Sequence, residues 1–546
     1  MASGLSRSAS GGALALALCA ALAWLAQFHH FREFGLYEDD YWFISEAMGQ
    51  DPSYLARRFL TAVTGLPQGR PLGFFLPDLL SFVGDKLGGL SAIYLLGFVV
   101  VSLNVFLCFR LLRSRVPLAP AAVGAAVLCL FPADTTKILL THDFQLQPSL
   151  TFALLAALAY VGGRRWLSYP LGAGALLAYE SGYLALFALP LFADCWDRRL
   201  PRRLVVHWVG LVVVLILAVV ARYVAGEGRA TSSVGGVGAI VAPFLGSLAL
   251  GPVRSIAAMF YGPLKAIPTW DIETIIIVAL AFVGFAALLW LARRQEHLSE
   301  AGGRTAAGPL RVGAAGLAML VLGYGLAFTH FPPNAVVGRG TSVHLGATLG
   351  MAVLAAAIAW LLIQLRPRLA IALLAAYLAL AVGYYVTIER DFMRSWQLQR
   401  AFWQQVAACC SDLGDGTVLL YQLNPADEPT FIFTNSWADP LVLSQTYAFP
   451  KTWANPPRLF SLTQWLDRVE PEGDHLRWWV PAASWDEHWE TLPQGNVILL
   501  QRAADGSLTR LTGTIDTPAG ALQLKPPAAA QSWPPAQLYG PLLGHG

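Results

Sequence analysis

Long apolar segments recur along most of this chain, and they constrain its fold more than any other feature. Only 13% of the 546 residues are charged, whereas soluble domains contain about 25%, and the mean hydropathy is +0.53. A helix needs about 20 predominantly apolar residues to cross the hydrocarbon core of a bilayer. The sequence therefore predicts a polytopic α-helical membrane protein, and it excludes a soluble globular fold for most of the chain.

The apolar segments predict about eleven spans, and we interpret the first as a retained signal anchor rather than a cleaved signal peptide. Two further apolar runs are too short to cross the membrane. Residues 71–83, interrupted by Pro77 and Asp78, are expected at the membrane interface, and residues 240–250, which contain Pro243, are expected to be re-entrant or interfacial. The expected spans are residues 13–27, 91–112, 118–132, 146–162, 166–179, 181–195, 204–224, 272–292, 310–329, 343–365 and 369–386.

Arginines in the short connections indicate the orientation of these spans. On the expected topology they all lie on one side, which the positive-inside rule identifies as the cytoplasm, together with the N-terminus. The arginine-rich connections are at residues 110–115, 164–165, 198–203, 293–311 and 366–368. The outer side then receives residues 28–90, 133–145, 225–271 and 330–342. A composition rich in Ala, Leu and Arg indicates a GC-rich bacterium, so we expect the inner membrane, with the outer side facing the periplasm.

Hydropathy falls after Tyr385, and we expect three regions: a membrane-embedded core (1–386), an extracytoplasmic α/β domain (387–525) and a loosely ordered Pro- and Ala-rich tail (526–546). Residues 388–410 have the apolar spacing of a helix, and residues 417–423 and 496–501 are typical of strands. Asp505-Gly506 predicts a hairpin turn into a strand over 508–515. An odd number of spans would leave this domain outside.

Three adjacent carboxylates, Glu38, Asp39 and Asp40, follow the first apolar segment directly. Burial and mutual repulsion are expected to raise the proton affinity of one of them, which suits a general base. Helix capping is the structural alternative, because Asp39 or Asp40 would favour the positive end of a helix over 41–49. Capping accounts for one acid and not for three beside a membrane, so we expect Asp39 and Asp40 to be catalytic.

Other candidate residues fall in the same expected outer segments. Glu180, with Tyr179, lies at the junction of two short apolar helices, where an ionisable side chain is costly and is therefore a functional candidate. His142 and Asp143 lie in an expected outer loop. They could ligate a divalent metal with the first acids, although a hydrogen-bonded loop explains so small a pair as well. No cofactor is certain.

Two arginines are the expected anion ligands. Arg70 follows Gly69, and Arg339 lies between Gly338 and Gly340. Glycine lets the backbone approach a ligand closely, and a guanidinium group suits bidentate contact with phosphate. The alternative for both arginines is contact with lipid headgroups at the interface.

The acidic pair Asp39-Asp40 in the first outer loop, followed by the aromatic residues Tyr41, Trp42 and Phe43, resembles the GT-C superfamily of integral-membrane glycosyltransferases. The many-span core, a late outer arginine and an extracytoplasmic C-terminal domain add to the likeness. The resemblance implies a polyprenyl-phosphate or polyprenyl-diphosphate sugar donor and inverting transfer. It also implies an acid of the first loop as base, which falls on Asp39 or Asp40, and phosphate stabilisation by Arg70 or Arg339.

Transfer of a single sugar to a hydroxyl is therefore the expected activity, with a lipid, polysaccharide or protein as acceptor and membrane lipids as surroundings. No nucleic-acid partner is expected. Trp478-Trp479 is followed by Val480, so the chain lacks the WWD-type motif of oligosaccharide transfer to asparagine. A polysaccharide polymerase or ligase, and a transporter or flippase of lipid-linked sugars, remain alternatives.

Overall fold

The structure is a computed structural model that describes residues 14–226, 237–299, 307–326, 332–333, 337–422, 438–461, 469–480, 488–503, 506–518 and 520–544. Its contacts divide the chain into two compact units. The first unit comprises the chain up to Arg32 together with Pro52–Arg390. The second comprises Glu33–Asp51 together with the chain from Asp391 onward. The first unit is helical, and the strands belong to the second.

The helices of the first unit are named here in chain order. They are α1 (Leu14–Phe28), α3 (Pro52–Gly65), α4 (Pro71–Arg113), α5 (Leu118–Cys129), α6 (Leu140–Val161), α7 (Arg165–Ala178), α8 (Leu189–Ala193), α9 (Leu200–Val224), α10 (Val237–Ala266), α11 (Ile272–Ser299), α12 (Ala307–Leu322), α13 (Leu345–Leu365) and the first part of α14 (Pro367–Cys409). Helix α2 (Asp40–Phe43) belongs to the second unit. Short 3-10 segments precede α8 and α13, at Tyr183–Ala188 and Arg339–His344.

Seven helices in the described part of the chain are long and apolar enough to cross a membrane. They are α4, α6, α9, α10, α11, α13 with its preceding 3-10 turn, and α14. Four shorter apolar helices accompany them: Leu14–Phe28, Leu118–Cys129, Tyr183–Ala193 and Gly308–Leu322. These helices identify a multi-pass membrane protein.

Helix α4 contains the first difference from the expected segments. Its axis breaks at Gly88 and Gly89, where Gly89 has a φ of 65° that disfavours any side chain, so the residues before and after form two helical pieces. The first piece continues past the expected end at residue 83 as far as this break, and Pro77 and Asp78 lie within it. Asp78 is buried and accepts hydrogen bonds from Tyr54 (2.7 Å) and Arg58 (2.7 Å) of the amphipathic helix α3.

Small residues let α12 and α13 pack with their backbones almost in contact. A Cβ added at Gly350 would lie 2.1 Å from the backbone nitrogen of Leu320, and one added at Gly316 would lie 2.5 Å from that of Leu354. Such close approach is typical of helix pairs in membranes, where packing replaces the hydrophobic effect as the driving force. Asn104 of α4 adds a buried hydrogen bond to the Gln147 side chain of α6 (2.9 Å).

The described residues of the second unit form three small sheets. Strands β1 (Val418–Gln422), β2 (Arg458–Ser461), β6 (Val497–Arg502) and β7 (Leu508–Leu511) form a sheet in the order β2-β1-β6-β7. β1 is parallel to β2 and to β6, and β7 is antiparallel to β6. Strands β3 (Val469–Glu472), β4 (His475–Val480) and β5 (His488–Pro493) form an antiparallel sheet, and β8 (Thr514–Thr517) pairs with β9 (Gly520–Gln523).

The expected strands near 417–423 and 496–501 correspond to β1 and β6. The strand expected over 508–515 is instead two strands, because the chain turns at Gly513, whose φ is 84°. Asp505 of the expected hairpin turn lies outside the described residues, although β6 and β7 do form a hairpin. Helix α15 (Val442–Thr446) completes the part of the unit before β2.

The C-terminal stretch is attached to this unit rather than loosely ordered. Pro534 accepts a hydrogen bond from the backbone of Ala448 (2.8 Å), and Trp533 packs edge-on against Trp453 with 4.9 Å between ring centroids. Helix α16 (Tyr539–Leu543) follows, with Leu542 fully buried. Proline removes backbone donors but does not prevent packing, so composition alone misjudged this segment.

Candidate functional site

The acidic motif lies in the second unit, on a segment that packs against the second part of α14. Tyr37 donates a hydrogen bond to the backbone oxygen of Phe392 (2.9 Å), and its ring packs edge-on against the Phe392 ring. Tyr41 donates one to Oε1 of Gln399 (2.6 Å). Gly35 lies so close to the Trp396 indole that a Cβ would overlap the ring. The aromatic residues flanking the acids therefore fix the motif to this helix.

Asp39 and Asp40 are both buried, with Asp40 entirely inaccessible and Asp39 8% exposed. Oδ2 of Asp40 accepts a hydrogen bond from the backbone N–H of Tyr37 (3.2 Å), which closes a tight turn before α2. Glu38 has a φ of 48°, a conformation that costs a non-glycine residue about 1 kcal/mol or more and that recurs at functional sites. Burial of two carboxylates beside a strained residue is a costly arrangement.

The expected helix over 41–49 is shorter than the sequence indicates. Helix α2 ends at Phe43, and a separate 3-10 turn covers Ser45–Ala47. Asp39 occupies the N-cap position of α2, yet its side chain makes no capping hydrogen bond. Capping of α2 therefore does not explain the position of Asp39. One carboxylate oxygen of Asp40 instead accepts a hydrogen bond from the backbone N–H of Tyr37.

Asp439 is an acid that the sequence analysis missed. It is 5% exposed, opens the 3-10 turn Asp439–Leu441, and lies near Tyr41. The pKa of the Tyr41 hydroxyl is raised well above its usual value, by burial first, and then by the charges of Asp439, Tyr37 and Asp40. Asp439 comes from a stretch without local signal, about 400 residues from the motif, so only the fold could reveal it.

In the first unit, Arg70 lies beside both Glu180 and the ring of Tyr179. Arg70 forms an ion pair with Oε1 of Glu180, and its guanidinium carbon lies 4.2 Å from the centroid of the Tyr179 ring. Arg222, from the last turn of α9, pairs with Oε2 of Glu180 at 3.0 Å. Three residues expected at the site are thus neighbours, and Arg222 is an addition to them.

Two arginines on one carboxylate determine its ionisation. Burial alone would raise the pKa of Glu180, but the charges and hydrogen bonds of Arg70 and Arg222 outweigh it and lower the pKa to about 2. The cluster therefore carries two positive charges and one negative charge at neutral pH. Each guanidinium has five N–H donors, more than a single carboxylate can use.

Glycines connect this cluster to neighbouring loops of the same unit. A Cβ on Gly73 would lie 2.3 Å from the backbone oxygen of Ala178, and one on Gly346 would lie 2.2 Å from that of Ser181. The chain around Glu180 is therefore packed between the start of α4 and the start of α13.

Arg339, the second expected phosphate ligand, begins the 3-10 turn before α13 and is half-buried. Its loop is fixed to the segment before α6. The backbone N–H of Gly338 donates to Oγ1 of Thr135 (3.0 Å), and that hydroxyl is 2.9 Å from the Thr341 hydroxyl.

Asp134 and Lys137 form a buried pair that the sequence analysis did not select. Both side chains are almost inaccessible, with Nζ of Lys137 3.9 Å from Oδ2 of Asp134 and 3.1 Å from the Tyr385 hydroxyl. Tyr385 in turn donates to the backbone oxygens of Asp134 (2.6 Å) and Phe131 (2.8 Å). An ionisable pair within a short stretch between two apolar segments is the signal that could have identified it.

His142 and Asp143 lie in a helix and not in the loop that the sequence predicts. Helix α6 begins at Leu140, so both residues occupy its first turn, and both are buried. A Cβ on Gly97 of α4 would lie 2.5 Å from Oδ2 of Asp143. The pair therefore belongs to the contact between α4 and α6, where the sequence shows only a polar interruption.

A cavity of about 210 Å³ lies where α6 ends and where α7 and α9 begin. It is lined by residues from the end of α6 and the starts of α7 and α9, among them Arg165, Arg203 and His207. None of the residues expected at the site lines it. It belongs instead to the arginine-rich connections.

The expected site residues thus divide between the units. Arg70, Tyr179 and Glu180 are in contact. Arg339, His142 and Asp143 belong to the same unit, and the three acids of the first loop belong to the other unit. Comparison with family models, curated proteins and solved structures gives no match to this chain.

Proposed function

We propose that the protein is a membrane glycosyltransferase that moves a single sugar from a polyprenyl-phosphate carrier to a hydroxyl acceptor. The observation that carries the proposal is the Arg70–Glu180–Arg222 cluster, which holds two guanidinium groups at one end of an apolar helical unit. A lipid-linked donor would lie with its isoprenoid chain between the helices and its phosphate at this end of the unit. The likeness of the first-loop acids to those of GT-C enzymes supports the same assignment.

Helix α10 is a candidate span by length and composition, whereas the expected topology has both of its ends on the outer side. Ion pairs of the segments that flank it support the expected topology. Arg222, before α10, pairs with Glu180 and hence lies beside Arg70. Asp271, after α10, pairs with Arg390 (2.5 Å).

Contacts at the end of α1 support a position for Arg390 on the same side of the membrane as Arg70. The neighbouring Glu389 contacts His29 and His30, which follow α1. Between His30 and Arg70 no described helix is apolar and long enough to cross. The run 240–250, expected to be too short to cross, lies within the longer helix α10. These contacts nevertheless support an interfacial or re-entrant position for α10, with both of its ends on one side. Its residues 251–262 accordingly contact Tyr324 and Tyr384, close to the ends of α12 and of the apolar part of α14.

In the proposed reaction, Asp39 or Asp40 takes the proton from the acceptor hydroxyl. The hydroxyl oxygen then attacks the anomeric carbon from the face opposite the phosphate, and a new C–O bond forms. The bond between the anomeric carbon and the phosphate oxygen breaks, and the phosphate leaves with the electron pair. Guanidinium groups stabilise its charge, with Arg70 and Arg222 as the principal candidates and Arg339 as a further one. The configuration at the anomeric carbon inverts.

The test is incubation of the purified protein, in lipid nanodiscs, with a radiolabelled polyprenyl-phosphate sugar. Transferase activity releases the sugar from the lipid, whereas a transporter or flippase leaves the donor intact. We expect Asp39→Asn or Asp40→Asn to lower kcat by at least 100-fold, as loss of a general base does. We expect Arg222→Gln to raise KM or lower kcat.

Asp516→Asn is the matched control, because Asp516 is an exposed carboxylate of the same unit as the acids. It should retain full activity. Full activity in both folded variants Asp39→Asn and Asp40→Asn would refute the assignment of the base. An intact donor with every hexose and pentose carrier tried would refute the transferase itself.

A further inference from the structure

A cluster of histidine and glutamate side chains contains none of the residues assigned to glycosyl transfer. His29 and His30 follow α1, Glu273 lies in the first turn of α11, and Glu389 lies in α14. One possible ligand atom from each of His29, His30 and Glu273 lies within 4.8 Å of the other two. Among the described residues, this is the one such trio of potential metal ligands.

The orientation of His30 suits metal binding. Its Nδ1 lies 3.3 Å from Oε2 of Glu389, in hydrogen-bonding geometry, and its Nε2 faces Oε1 of Glu273 at 3.9 Å. A carboxylate behind one ring nitrogen fixes the tautomer and leaves the other nitrogen as a ligand, which is the usual second-shell arrangement of metal-bound histidine. Ligand atoms on a tetrahedral zinc ion are separated by about 3.3 Å, given bonds of about 2.0 Å.

His29 contributes polar atoms that the protein leaves unsatisfied. Its ring lies against that of His30, with 3.8 Å between centroids. Nε2 has no hydrogen-bond partner among the described residues, and Nδ1 lies 2.7 Å from Oε2 of Glu389 but forms no hydrogen bond with it. Oε1 of Glu389 is also without such a partner, and that side chain is fully buried. Buried polar atoms without partners are costly, and a cation would satisfy them.

Arg390 orients Glu273, the third potential ligand. Its Nη2 donates to Oε2 of Glu273 (2.6 Å), and its Nη1 pairs with Asp271 (2.5 Å). Oε2 of Glu273 is thereby occupied, whereas Oε1 is the oxygen that faces His30. The carboxylate is thus oriented with one oxygen toward the histidines.

We propose that His29, His30 and Glu273 bind a divalent transition-metal ion, with Glu389 orienting His30. Two imidazoles and one carboxylate are the ligand set of zinc sites that keep a fourth position for water. The proposal is independent of glycosyl transfer, because it uses none of the residues assigned to that reaction. The bound ion would link the end of α1 to α11, and Glu389 would link it to α14.

The test uses protein purified without a polyhistidine tag, treated with chelator and titrated with Zn²⁺ alone against a chromogenic chelator. We expect one tightly bound Zn²⁺ per chain. The His29→Ala/His30→Ala double variant should lose it, and Glu389→Gln should weaken it about 10- to 100-fold, as loss of a second-shell partner does. Co²⁺ in place of Zn²⁺ should give the visible absorption of a tetrahedral site.

Two further variants separate the site from general effects. Glu273→Gln removes a ligand whose side chain is 54% exposed, so it should lower the affinity without opening a buried core. His475→Ala removes a histidine that is 51% exposed in the second unit and should leave binding unchanged. The proposal is overturned if the wild-type chain binds no stoichiometric Zn²⁺, or if Glu273→Gln and the double histidine variant bind it as the wild type does.

Discussion

Glu180 shows at the scale of one residue how a membrane protein keeps a charge. Its side chain is 16% exposed, and burial alone would raise its pKa, because charged groups are poorly solvated in such surroundings. Two guanidinium groups reverse the sign of the effect. The carboxylate is therefore a structural counterion for arginines that could otherwise not be held near each other.

The stability of the cluster is expected to depend on pH. The folded-state pKa of Glu180 is about 2, below its ordinary value of 4.5. A lowered pKa contributes stability that is complete above about pH 4.5 and is lost as the pH falls toward 2. Glu180→Gln should therefore cost about 3 kcal/mol at pH 7 and much less at pH 2. Thermal unfolding in detergent across this pH range measures the difference.

Asp197→Asn is the control for this measurement. Asp197 also pairs with an arginine, Arg203, at 2.8 Å, but it is exposed, and exposed ion pairs contribute little. Its replacement should change the unfolding temperature little at any pH. An equal loss at pH 7 in Asp197→Asn and Glu180→Gln would contradict a special role for the buried cluster.

Single residues also show why the first-loop motif could be found but not fully interpreted. Three adjacent acids beside an apolar segment are visible in the sequence. Their burial, the bond from Tyr37 to Asp40 and the nearness of Asp439 depend on packing against distant residues. Sequence reasoning offered helix capping as the alternative for Asp39, and the geometry of α2 does not support it.

Helices α12 and α13 show at the scale of elements what small residues contribute. Their glycines are spaced so that backbone meets backbone, and no side chain larger than hydrogen fits at Gly316, Gly323 or Gly350 without movement. Close approach increases dispersion contacts along the whole interface. An apolar segment in a sequence gives its length, but not the neighbour against which its glycines pack.

Replacing Gly350 by alanine should destabilise this helix pair. The added methyl would lie 2.1 Å from a backbone atom of α12, which cannot rotate away, so the helices must separate. A loss of about 1 to 3 kcal/mol is expected for such overpacking. Thermal unfolding of the purified protein, followed by loss of the monodisperse species in detergent, measures it.

Gly313→Ala is the matched control on the same pair. Its added methyl would meet only the Cβ of Ala357, at 3.6 Å, an ordinary contact, and alanine is the better helix former. Stability should stay the same or increase. If both alanine variants behaved alike, the close packing of α12 and α13 would not be what stabilises the pair.

For the whole molecule, the division into two units assigns the first polar loop to an unexpected partner. Residues 33–51 pack with the C-terminal part of the chain, although they follow α1 directly in sequence. The reason is aromatic packing on α14, because the Tyr37 ring contacts Phe392 and Gly35 lies against the Trp396 indole. The part of the second unit that follows Arg390 therefore supports the acidic motif.

The orientation of the chain in the membrane can be measured by labelling cysteines. We expect Thr512→Cys, on an exposed loop of the second unit, to react with a membrane-impermeant maleimide in intact spheroplasts. Cys195 is exposed and follows α8, on the expected cytoplasmic side, so it should react only after permeabilisation. The remaining cysteines are replaced for this test. Labelling of Cys195 in intact spheroplasts would refute the expected topology.

The sequence by itself determined the class of protein and the approximate position of most helices, because apolar length and periodicity are local properties of the chain. It also selected Arg70 and Glu180, since an ionisable group beside an apolar segment is visible without a fold. Tertiary structure decided which of these groups meet. Arg222, Asp439, the bond from Lys137 to Tyr385 and the approach of Glu273 to His29 and His30 depend on contacts between residues far apart in sequence, and no local pattern encodes such contacts.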